Sequence, residues 1–392
     1  MNSSTPLRGV LLDLTPLETV SSLRGIGRYV RGLTSGLAQV ASEQRLPIEY
    51  VTATPDLRQL FLVEDAFAYS QRPVTMPVPH CARLRRKLLQ TRMAAFVRDR
   101  SAIVHLGDPN GVPPANSVPF TFTCHDLIPL VMHKEYLAPV PLWPKLYRAL
   151  LRAQYQRTRR ILAVSHATKR DVCERLDVPD ERVDVVWHGV DHHIFHPRSA
   201  PNERAQLDSI VGGSGPYVLY LGAGDKRKDL ETLLEAFAES GLWREARLVL
   251  AGNLGPKRTP SLAALGRKLR IEASVQIAGY VPEAVVPALY RQATVHAFLS
   301  RYEGFGLPVL EALACGAPTI TSPGSSLDEV VGDGALVVPC REVDALVVAL
   351  KSAFFDRDQR ERLVERGLAR ARTFTWRRCA EETISFWQRA IA

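Results

Sequence analysis

Short, mostly apolar runs recur along the chain and alternate with stretches in which apolar residues return every three or four positions. Runs of this kind, bounded by polar residues, are typical of strands buried on both faces of a parallel sheet. Spacings such as Tyr29, Leu33 and Leu37 are typical of helices with one buried side. The pattern predicts an α/β protein with strands at residues 9–14, 48–53, 102–106, 120–124, 160–164, 183–187, 217–221, 247–252, 275–278, 295–299, 319–321 and 335–338.

The predicted strands fall into two groups, which a polar stretch separates. Residues 199–215 are rich in polar residues and glycine, so they are predicted to be a linker. Each group alternates strand and helix, which predicts two doubly wound, Rossmann-like domains. The expected boundaries are residues 1–197 for the first domain, 198–373 for the second and 374–392 for an amphipathic C-terminal helix.

Residues 295–322 carry the most informative local pattern. A buried strand is followed by a loop punctuated by Gly304 and Gly306, and then by a helix that begins near Pro308. The fixed φ of a proline suits the first turn of a helix. Gly316 is predicted to be the left-handed residue that ends this helix, with Pro318 preventing its continuation.

This strand–loop–helix unit is suited to binding an anion. The first N–H groups of a helix carry about half a positive charge, and glycines allow a ligand to approach the backbone closely. Glu303 precedes the loop and Glu311 lies one turn into the helix, so carboxylates stand on both sides of the anion position. A nucleotide-sugar has the matching layout, because its diphosphate lies between two hydroxylated rings.

A third pattern places polar residues at the ends of other strands. His125 and Asp126 follow the strand at 120–124, at the edge where ligands bind in doubly wound sheets. His125 is therefore either a functional residue, with Asp126 as an orienting partner, or a structural histidine. Gly25 and Gly27 end a loop after the first strand and read either as a ligand-approach site or as a flexible turn.

Composition limits the remaining possibilities. The 392 residues are 46% hydrophobic and 23% charged, as in ordinary globular proteins. The sequence contains no run of about 18 apolar residues, so a membrane-spanning helix is not expected. The N-terminal apolar stretch is too short for a signal peptide and is assigned to the first strand. Six cysteines without metal-binding spacing are expected to be free thiols, so we expect a cytoplasmic protein.

A net charge of +9 favours anionic partners. Nucleic acid is disfavoured, because the sequence has neither zinc-finger spacing nor an RNP-like aromatic strand. Residues 83–100 form a basic amphipathic segment with two interpretations. It fits peripheral contact with an anionic membrane, and it equally fits an ordinary domain helix with a solvated basic face.

The segment Glu303-Gly304-Phe305-Gly306-Leu307-Pro308, followed by Glu311-Ala312, resembles the E-x7-E signature of the retaining GT-B glycosyltransferases of family 4. Further resemblances lie at residues 165–171, 188–191, 279–282 and 325–330. The resemblance implies the GT-B fold, in which two Rossmann-like domains face a central cleft. It also implies that the C-terminal helix crosses back onto the first domain.

The resemblance implies a role for each candidate residue. Arg227 and Lys228, together with the amides of Phe305, Gly306 and Leu307, would bind the donor diphosphate. Glu303 would hold hydroxyls of the transferred sugar, Glu311 the ribose, and the loop at 279–282 would lie beside the base. His125 would lie near the transferred sugar and stabilise developing charge, with Gly25 and Gly27 against the donor.

The expected function is retaining transfer of a hexose from a nucleotide diphosphate sugar to a saccharide or lipid-linked acceptor in bacterial envelope polysaccharide or glycolipid assembly. The overall pattern resembles mannosyltransferases, so GDP-mannose is the favoured donor and a UDP-hexose is the alternative donor. A sugar-nucleotide epimerase of GT-B fold is an alternative function. A nicotinamide oxidoreductase should show a complete GxGxxG, which the candidate loops lack. No cofactor and no metal are expected. Asp356, in the D-x-D at residues 356–358, is predicted to be a helix cap or a surface acid and not a metal ligand.

Overall fold

The computed structural model describes residue 7 and residues 9–18, 25–52, 74–75, 102–109, 118–137, 142–201 and 203–391. Contacts divide the chain into two compact units. Unit 1 comprises Met1–Gly189 and Phe374–Ala392, and unit 2 comprises Val190–Thr373. Each unit is built around one parallel sheet, which confirms the predicted pair of doubly wound α/β domains.

Unit 1 contains a sheet of seven parallel strands in the order β3-β2-β1-β4-β5-β6-β7. The strands are β1 (Val10–Asp13), β2 (Ile48–Thr52), β3 (Val74–Thr75), β4 (Ile103–Leu106), β5 (Phe120–Cys124), β6 (Arg160–Ala163) and β7 (Val183–Val185). In register, Leu12 of β1 lies beside Tyr50 of β2 and His105 of β4. Every residue of β1, β4 and β5 is buried, as expected for strands covered by helices on both faces.

The helices of unit 1 are α1 (Gly25–Glu43), α2 (Ile128–Val131), α3 (His133–Tyr136), α4 (Trp143–Arg157), α5 (His166–Leu176) and, after unit 2, α14 (Trp376–Ile391). Ser165 caps α5 by accepting a hydrogen bond from the Thr168 N–H at 3.0 Å, as the sequence predicts. The segment at 83–100, predicted to be basic and amphipathic, lies outside the described residues.

Unit 2 contains six parallel strands in the order β10-β9-β8-β11-β12-β13. They are β8 (Tyr217–Leu221), β9 (Arg247–Ala251), β10 (Val275–Gly279), β11 (Val295–Phe298), β12 (Thr319–Thr321) and β13 (Leu336–Val337). The helices are α6 (Glu203–Val211), α7 (Leu230–Glu239), α8 (Arg258–Lys268), α9 (Val286–Gln292), α10 (Leu307–Ala314), α11 (Ser326–Val331), α12 (Val343–Phe355) and α13 (Arg357–Ala371).

Two local predictions are wrong. The predicted linker contains α6, because Leu207 and Val211 form a buried apolar side that is too sparse to stand out among polar neighbours. The buried Glu203–Arg291 ion pair holds this helix against α9. Gly25 and Gly27 do not end a loop but lie in the first turn of α1.

Small residues allow α14 to pack closely on unit 1. A Cβ added to Gly32 would lie 2.0 Å from the Trp376 ring, and one added to Gly189 would lie 2.2 Å from the Trp376 backbone nitrogen. These glycines leave room for Trp376, whose ring lies 6.3 Å from that of Tyr29 and 6.0 Å from that of His188, measured between centroids. The C-terminal helix thus completes the core of unit 1.

We expect Gly189→Ala to lower the free energy of unfolding by about 1–3 kcal/mol, because its methyl group would meet the rigid backbone of residues 375 and 376. Gly215→Ala is the matched control, since a Cβ there meets nothing within 4 Å. Calorimetric melting of the two variants beside the parent protein measures the difference. Equal melting temperatures for all three proteins would show that the α14 contact tolerates a side chain at Gly189.

Candidate functional site

The strand order of unit 2 reverses between β8 and β11, and the candidate site lies at this point. In doubly wound sheets, the loops after two such strands diverge and leave a crevice at their carboxyl ends. The loop after β8 carries Arg227 and Lys228, and the loop after β11 carries Glu303. The topology therefore brings together residues that are about 75 positions apart in sequence.

Arg227, Lys228 and Glu303 form one ionic cluster. Arg227 Nη1 and Lys228 Nζ both donate to Glu303 Oε1. Arg227 Nη1 also donates to the Tyr302 carbonyl at 2.7 Å and to Ser300 Oγ at 3.2 Å. The Lys228 ammonium lies 4.2 Å from the centre of the Phe298 ring, in a cation–π contact. Two cations thus share the Glu303 carboxylate, and the Asp225 carboxylate lies 3.9 Å from Arg227 Nε on the other side of that guanidinium.

Burial and charge shift the pKa values in this cluster. Burial lowers the pKa of Lys228 to about 8. The neighbouring Arg227 also lowers this pKa, whereas Glu303 favours the ammonium and raises it. Burial alone would raise the pKa of Glu303, but Lys228, Arg227 and hydrogen bonds outweigh that effect and hold it at about 2. Near neutral pH the carboxylate is therefore ionised, and Lys228 is the group closest to its titration range.

Local structure fixes both loops. Residues Lys226–Lys228 form a 3-10 turn, in which the Asp225 carboxylate accepts from the Arg227 N–H at 3.1 Å. The Arg301 N–H donates to the Arg227 carbonyl at 2.8 Å and ties the two loops together. Asp229 adopts a left-handed conformation with φ +48° before α7 begins. Arg227 and Lys228 are consequently held by a turn that is fixed at both ends.

Three buried serines support the loop after β11. Ser322 Oγ donates to the Ser300 carbonyl at 2.6 Å and accepts from the Ser300 N–H at 2.8 Å. Ser326 Oγ lies within hydrogen-bond distance of the carbonyls of Glu303, at 3.0 Å, and Phe305, at 2.9 Å. The backbone around Glu303 and Phe305 is therefore held in place from the neighbouring strand and from α11.

Helix α10 begins and ends as the sequence predicts, with Pro308 in its first turn. Gly306, at φ +105°, precedes it, and a Cβ there would lie 2.6 Å from Leu327. At the other end Gly316 has φ +76°, and the Ala317 and Gly316 N–H groups donate to the Ala312 and Leu313 carbonyls in a Schellman motif.

The remaining candidates on this segment are buried. Gly304, Phe305, Gly306 and Leu307 connect Glu303 to the start of α10, and Glu311 lies in the second turn of the helix with 2% of its surface exposed. The N-terminal end of α10, with its partial positive charge, therefore lies on the same short segment as the ionic cluster.

A cavity of about 540 Å³ opens beside this site in unit 2. Its walls come from the segments that follow β9 and β10, and they include Asn253, Thr259 and Tyr280. The Gly224 N–H donates to the Asn253 carbonyl at 3.2 Å, so the loop that carries the cations packs on the cavity wall. Tyr280 is 68% exposed, and its ring offers a flat apolar surface.

His125 belongs to unit 1 and follows β5. Its Nε2 donates to the Gly107 carbonyl at 2.8 Å, because a carbonyl oxygen can only accept. Burial lowers the pKa of His125, although that hydrogen bond opposes the shift. The imidazole is therefore neutral near pH 7, with Nδ1 as its acceptor atom. The Asp126 carboxylate accepts from the Ile128 N–H at 3.0 Å and begins α2.

An aromatic group in unit 1 surrounds His125. The Tyr29 ring meets the His125 ring edge-on at 4.9 Å and lies 4.6 Å from the ring of His188. The Tyr29 hydroxyl hydrogen-bonds Thr123, which in turn bonds the buried His105. Tyr29 lies one helical turn after Gly25 and near Gly27, so the start of α1 lies beside His125.

Sequence reasoning named the charged residues of the site but missed their supports. Ser300 and Ser322 stand just beyond β11 and β12, the same strand-end position that drew attention to His125. Applied to every strand, that rule finds both serines. Tyr29 gave no such signal, because its apolar spacing predicts only a core residue. The loop at 279–282 was expected beside the base and does line the cavity, whereas Asn253 and Thr259 were missed.

Other site types can be compared with the described residues. In the part of the chain that the structure describes, no group of three or more His, Cys, Asp or Glu side chains is placed to hold a metal ion. Asp356 caps α13 by accepting from the Gln359 N–H at 2.9 Å, as predicted. None of the described helices combines the length and apolar content that crossing a membrane requires.

Two family models match this chain, one in each half. Residues 23–194 match Glycosyltransferase Family 4, and residues 206–370 match Glycosyl transferases group 1. The O-antigen chain mannosyltransferase B of Escherichia coli is 33% identical over 230 residues, which are 58% of this chain and 60% of that protein. The serotype-specific mannosyltransferase WbdA of Escherichia coli is 28% identical over 407 residues, covering 97% of this chain and 48% of WbdA.

The chain thus spans between about half and three fifths of the length of these two relatives. Among solved structures, sucrose-phosphate synthase from Thermosynechococcus elongatus superposes with a TM-score of 0.73 at 20% identity, over 97% of this chain and 98% of that one. That likeness concerns the fold. Because the two family models together match most of both units, the chain belongs to the family 4 glycosyltransferases, of GT-B fold, and is similar to their mannosyltransferases.

Proposed function

We propose that the protein is a retaining hexosyltransferase, which transfers mannose from GDP-mannose to an acceptor hydroxyl in the assembly of a bacterial envelope polysaccharide or glycolipid. Family membership supports the glycosyl transfer, and the names of the two relatives, both mannosyltransferases, support the sugar. The acceptor is a saccharide or a lipid-linked saccharide.

The observation that carries this proposal is the pair of cations on one carboxylate, next to the start of α10. In the transfer, the bond between the anomeric carbon and the diphosphate oxygen breaks, and the nucleoside diphosphate leaves with the electron pair. Arg227, Lys228 and the amides of Phe305 to Leu307 stabilise that growing negative charge. In a dry site, preorganised groups of this kind lower the barrier by several kcal/mol, and we assign to them the role that a metal ion would otherwise fill.

Glu303 and His125 act on the sugar side of the breaking bond. Glu303 is ionised and accepts hydrogen bonds from sugar hydroxyls while it keeps the two cations in place. The sugar develops positive charge as the diphosphate departs, and the neutral His125 ring suits such a charge better than an imidazolium would. The acceptor oxygen then attacks the anomeric carbon from the face that the leaving group vacates, and its proton passes to the departing diphosphate oxygen.

The cavity beside the cations accommodates the base of the donor. Its volume of about 540 Å³ is that of a typical small-ligand pocket, and the exposed Tyr280 ring provides a stacking surface. Gly25 and Gly27, in the first turn of α1, remain candidates for close approach to the donor. Glu311 is assigned to the ribose hydroxyls.

A donor panel tests the proposal. The purified protein is given GDP-mannose, UDP-glucose, UDP-galactose and UDP-N-acetylglucosamine, with and without a lipid and saccharide extract, and released nucleotide is measured. We expect release from GDP-mannose that depends on the extract. Nucleotide release from a UDP-sugar instead would overturn the assignment of GDP-mannose as the donor. Conversion of the donor without an acceptor would indicate an epimerase.

We expect Glu311→Gln to weaken GDP binding by roughly 10- to 100-fold and to leave inorganic pyrophosphate binding unchanged, because only GDP carries a ribose. Glutamine keeps the buried shape of Glu311, so the fold is preserved. Titration calorimetry with both ligands measures the two affinities. If both fall together, Glu311 serves the structure of α10; if neither falls, the ribose assignment is wrong.

A further inference from the structure

The buried ammonium of Lys228 shares its carboxylate with a second cation. Lys228 is 5% exposed, and its Nζ donates to Glu303 Oε1. Arg227 Nη1 donates to the same oxygen, so one carboxylate oxygen serves two cations. Because burying a charge is costly unless it is well paired, the shared carboxylate offsets only part of the cost of burying this ammonium. A further group that favours the charged form is therefore expected beside Lys228.

The ring of Phe298 is placed to be that group. Lys228 Nζ lies 4.2 Å from the centre of the ring, within the distance of about 6 Å over which an aromatic face attracts a cation. Phe298 is the last residue of β11 and is fully buried. A cation–π contact is strongest where water is excluded. The Phe298 ring and the Glu303 carboxylate thus act on the same ammonium.

Tyr220, on β8, supports both the ring and the loop that leads to the lysine. Its ring lies 5.8 Å from the Phe298 ring, with the two planes 10° apart. Its hydroxyl donates to the Ala223 carbonyl at 2.7 Å. Gly222 leaves room for this bond, since a Cβ there would lie 2.7 Å from the hydroxyl oxygen and 3.4 Å from the Phe298 ring. One buried tyrosine thus connects the aromatic contact to the chain that carries Lys228.

The titratable groups around this contact have separate roles. The charged side chains that act on the Lys228 ammonium are Glu303, Arg227 and Asp225. Two titratable rings pack beside Phe298 and stay neutral near pH 7. Burial raises the pKa of Tyr220, and burial lowers the pKa of His296, whose ring lies 6.1 Å from that of Phe298, to about 3. Neither ring therefore adds a charge that would replace the effect of Phe298.

We propose that Phe298 is a positioning residue for the transfer reaction, whose ring keeps the Lys228 ammonium charged and in place beside Glu303, with Tyr220 as its support. The inference rests on the proposed role of Lys228 in stabilising the leaving diphosphate. An aliphatic residue would occupy the same core position but would present no negative face to the cation. Lys228 would then lose its proton at a lower pH, and the site would lose a charge that the reaction uses.

The titration of Lys228 tests the ring directly and requires neither donor nor acceptor. The protein is prepared with isotope-labelled lysine, the Lys228 signal is assigned by its absence from Lys228→Met, and its midpoint is measured by NMR. We expect the midpoint in Phe298→Leu to lie about one pH unit below that of the parent protein, because a desolvated cation–π contact favours the charged form by roughly tenfold or more. Equal midpoints would overturn the inference and leave the proposed function standing.

A fluorinated ring separates the effect of charge from that of packing. Trifluorophenylalanine in place of Phe298 keeps the ring but withdraws electron density from its face, so it should move the midpoint in the same direction, even if Phe298→Leu does not fold. Phe237→Leu is the matched control, because Phe237 is an equally buried phenylalanine on α7, and it should leave the midpoint unmoved. A fluorinated protein that titrates like the parent, or an equal shift in Phe237→Leu, would overturn the inference.

Turnover tests the link between the ring and the reaction. With GDP-mannose and the acceptor extract, kcat/KM of Phe298→Leu relative to the parent should fall by roughly fivefold between about pH 6.5 and about pH 8.5. In a Lys228→Arg background, where the charge does not titrate, Phe298→Leu should show no such pH-dependent loss. A lowered NMR midpoint with an unchanged pH profile would overturn the role of Lys228 in the transfer and this inference with it, whereas equal midpoints speak against Phe298 alone.

Discussion

Replacing Lys228 by methionine is expected to lower kcat by roughly 100- to 1,000-fold, the usual effect of removing one preorganised group from a developing anion. Methionine keeps the apolar stem that packs on Phe298 but lacks the charge. Lys226→Met is the matched control, because Lys226 belongs to the same 3-10 turn and is exposed. Single-turnover kinetics with saturating donor isolates the chemical step. A near-normal rate for Lys228→Met would remove the leaving-group role from this residue.

The pH dependence separates this role from a structural one. The pKa of Lys228 is lowered to about 8 because the ammonium is buried, so the free enzyme loses the charge as the pH rises through that value. Because kcat/KM reports groups of the free enzyme, it should fall above about pH 8. A bound diphosphate favours the charged form, so the basic limb of kcat should lie higher. Lys228→Arg, which stays charged, should remove the limb.

The architecture could be predicted because it rests on patterns that each segment carries alone. Consecutive apolar residues identified every strand of the two sheets except β3, and Ser165, Gly316 and Asp356 marked helix ends through backbone chemistry that acts within four residues. Where the local signal is weak, the prediction failed. Strand β3 has only two residues, and α6 buries Leu207 and Val211 among polar neighbours.

The ionic cluster shows what a linear sequence cannot give. One motif identified Arg227 and Lys228, which were expected to bind the diphosphate, and another identified Glu303, which was expected to bind the sugar. Their shared contact at Glu303 Oε1 arises only because β8 and β11 are neighbours in the sheet. The same holds in unit 1, where the Gly107 carbonyl after β4 fixes the tautomer of His125 after β5. Such pairings depend on strand order, which no single motif encodes.

Glu303→Gln is expected to lower the free energy of unfolding of unit 2 by about 3–5 kcal/mol near pH 7, the usual cost of removing one partner from a buried ion pair. Arg227 and Lys228 would then lie beside each other without the carboxylate that they share, and only the half-buried Asp225, 3.9 Å from Arg227 Nε, would remain near them. Glu231→Gln is the control, since Glu231 pairs with Arg258 but is 45% exposed, and its loss should cost at most about 1 kcal/mol.

The effects of added pyrophosphate and of pH on the melting temperature would show why Glu303→Gln is less stable. Pyrophosphate can replace the missing negative charge, so it should raise the melting temperature of Glu303→Gln more than that of the parent protein. The pKa of Glu303 is about 2 in the folded protein and 4.5 as the ordinary value, so its stabilisation is complete above 4.5 and disappears as the pH falls through 2. Parent and variant stabilities should therefore converge across that range in calorimetric scans. A constant difference with no extra gain from pyrophosphate would mean that the lost stability comes from packing and that Glu303 does not neutralise the cations.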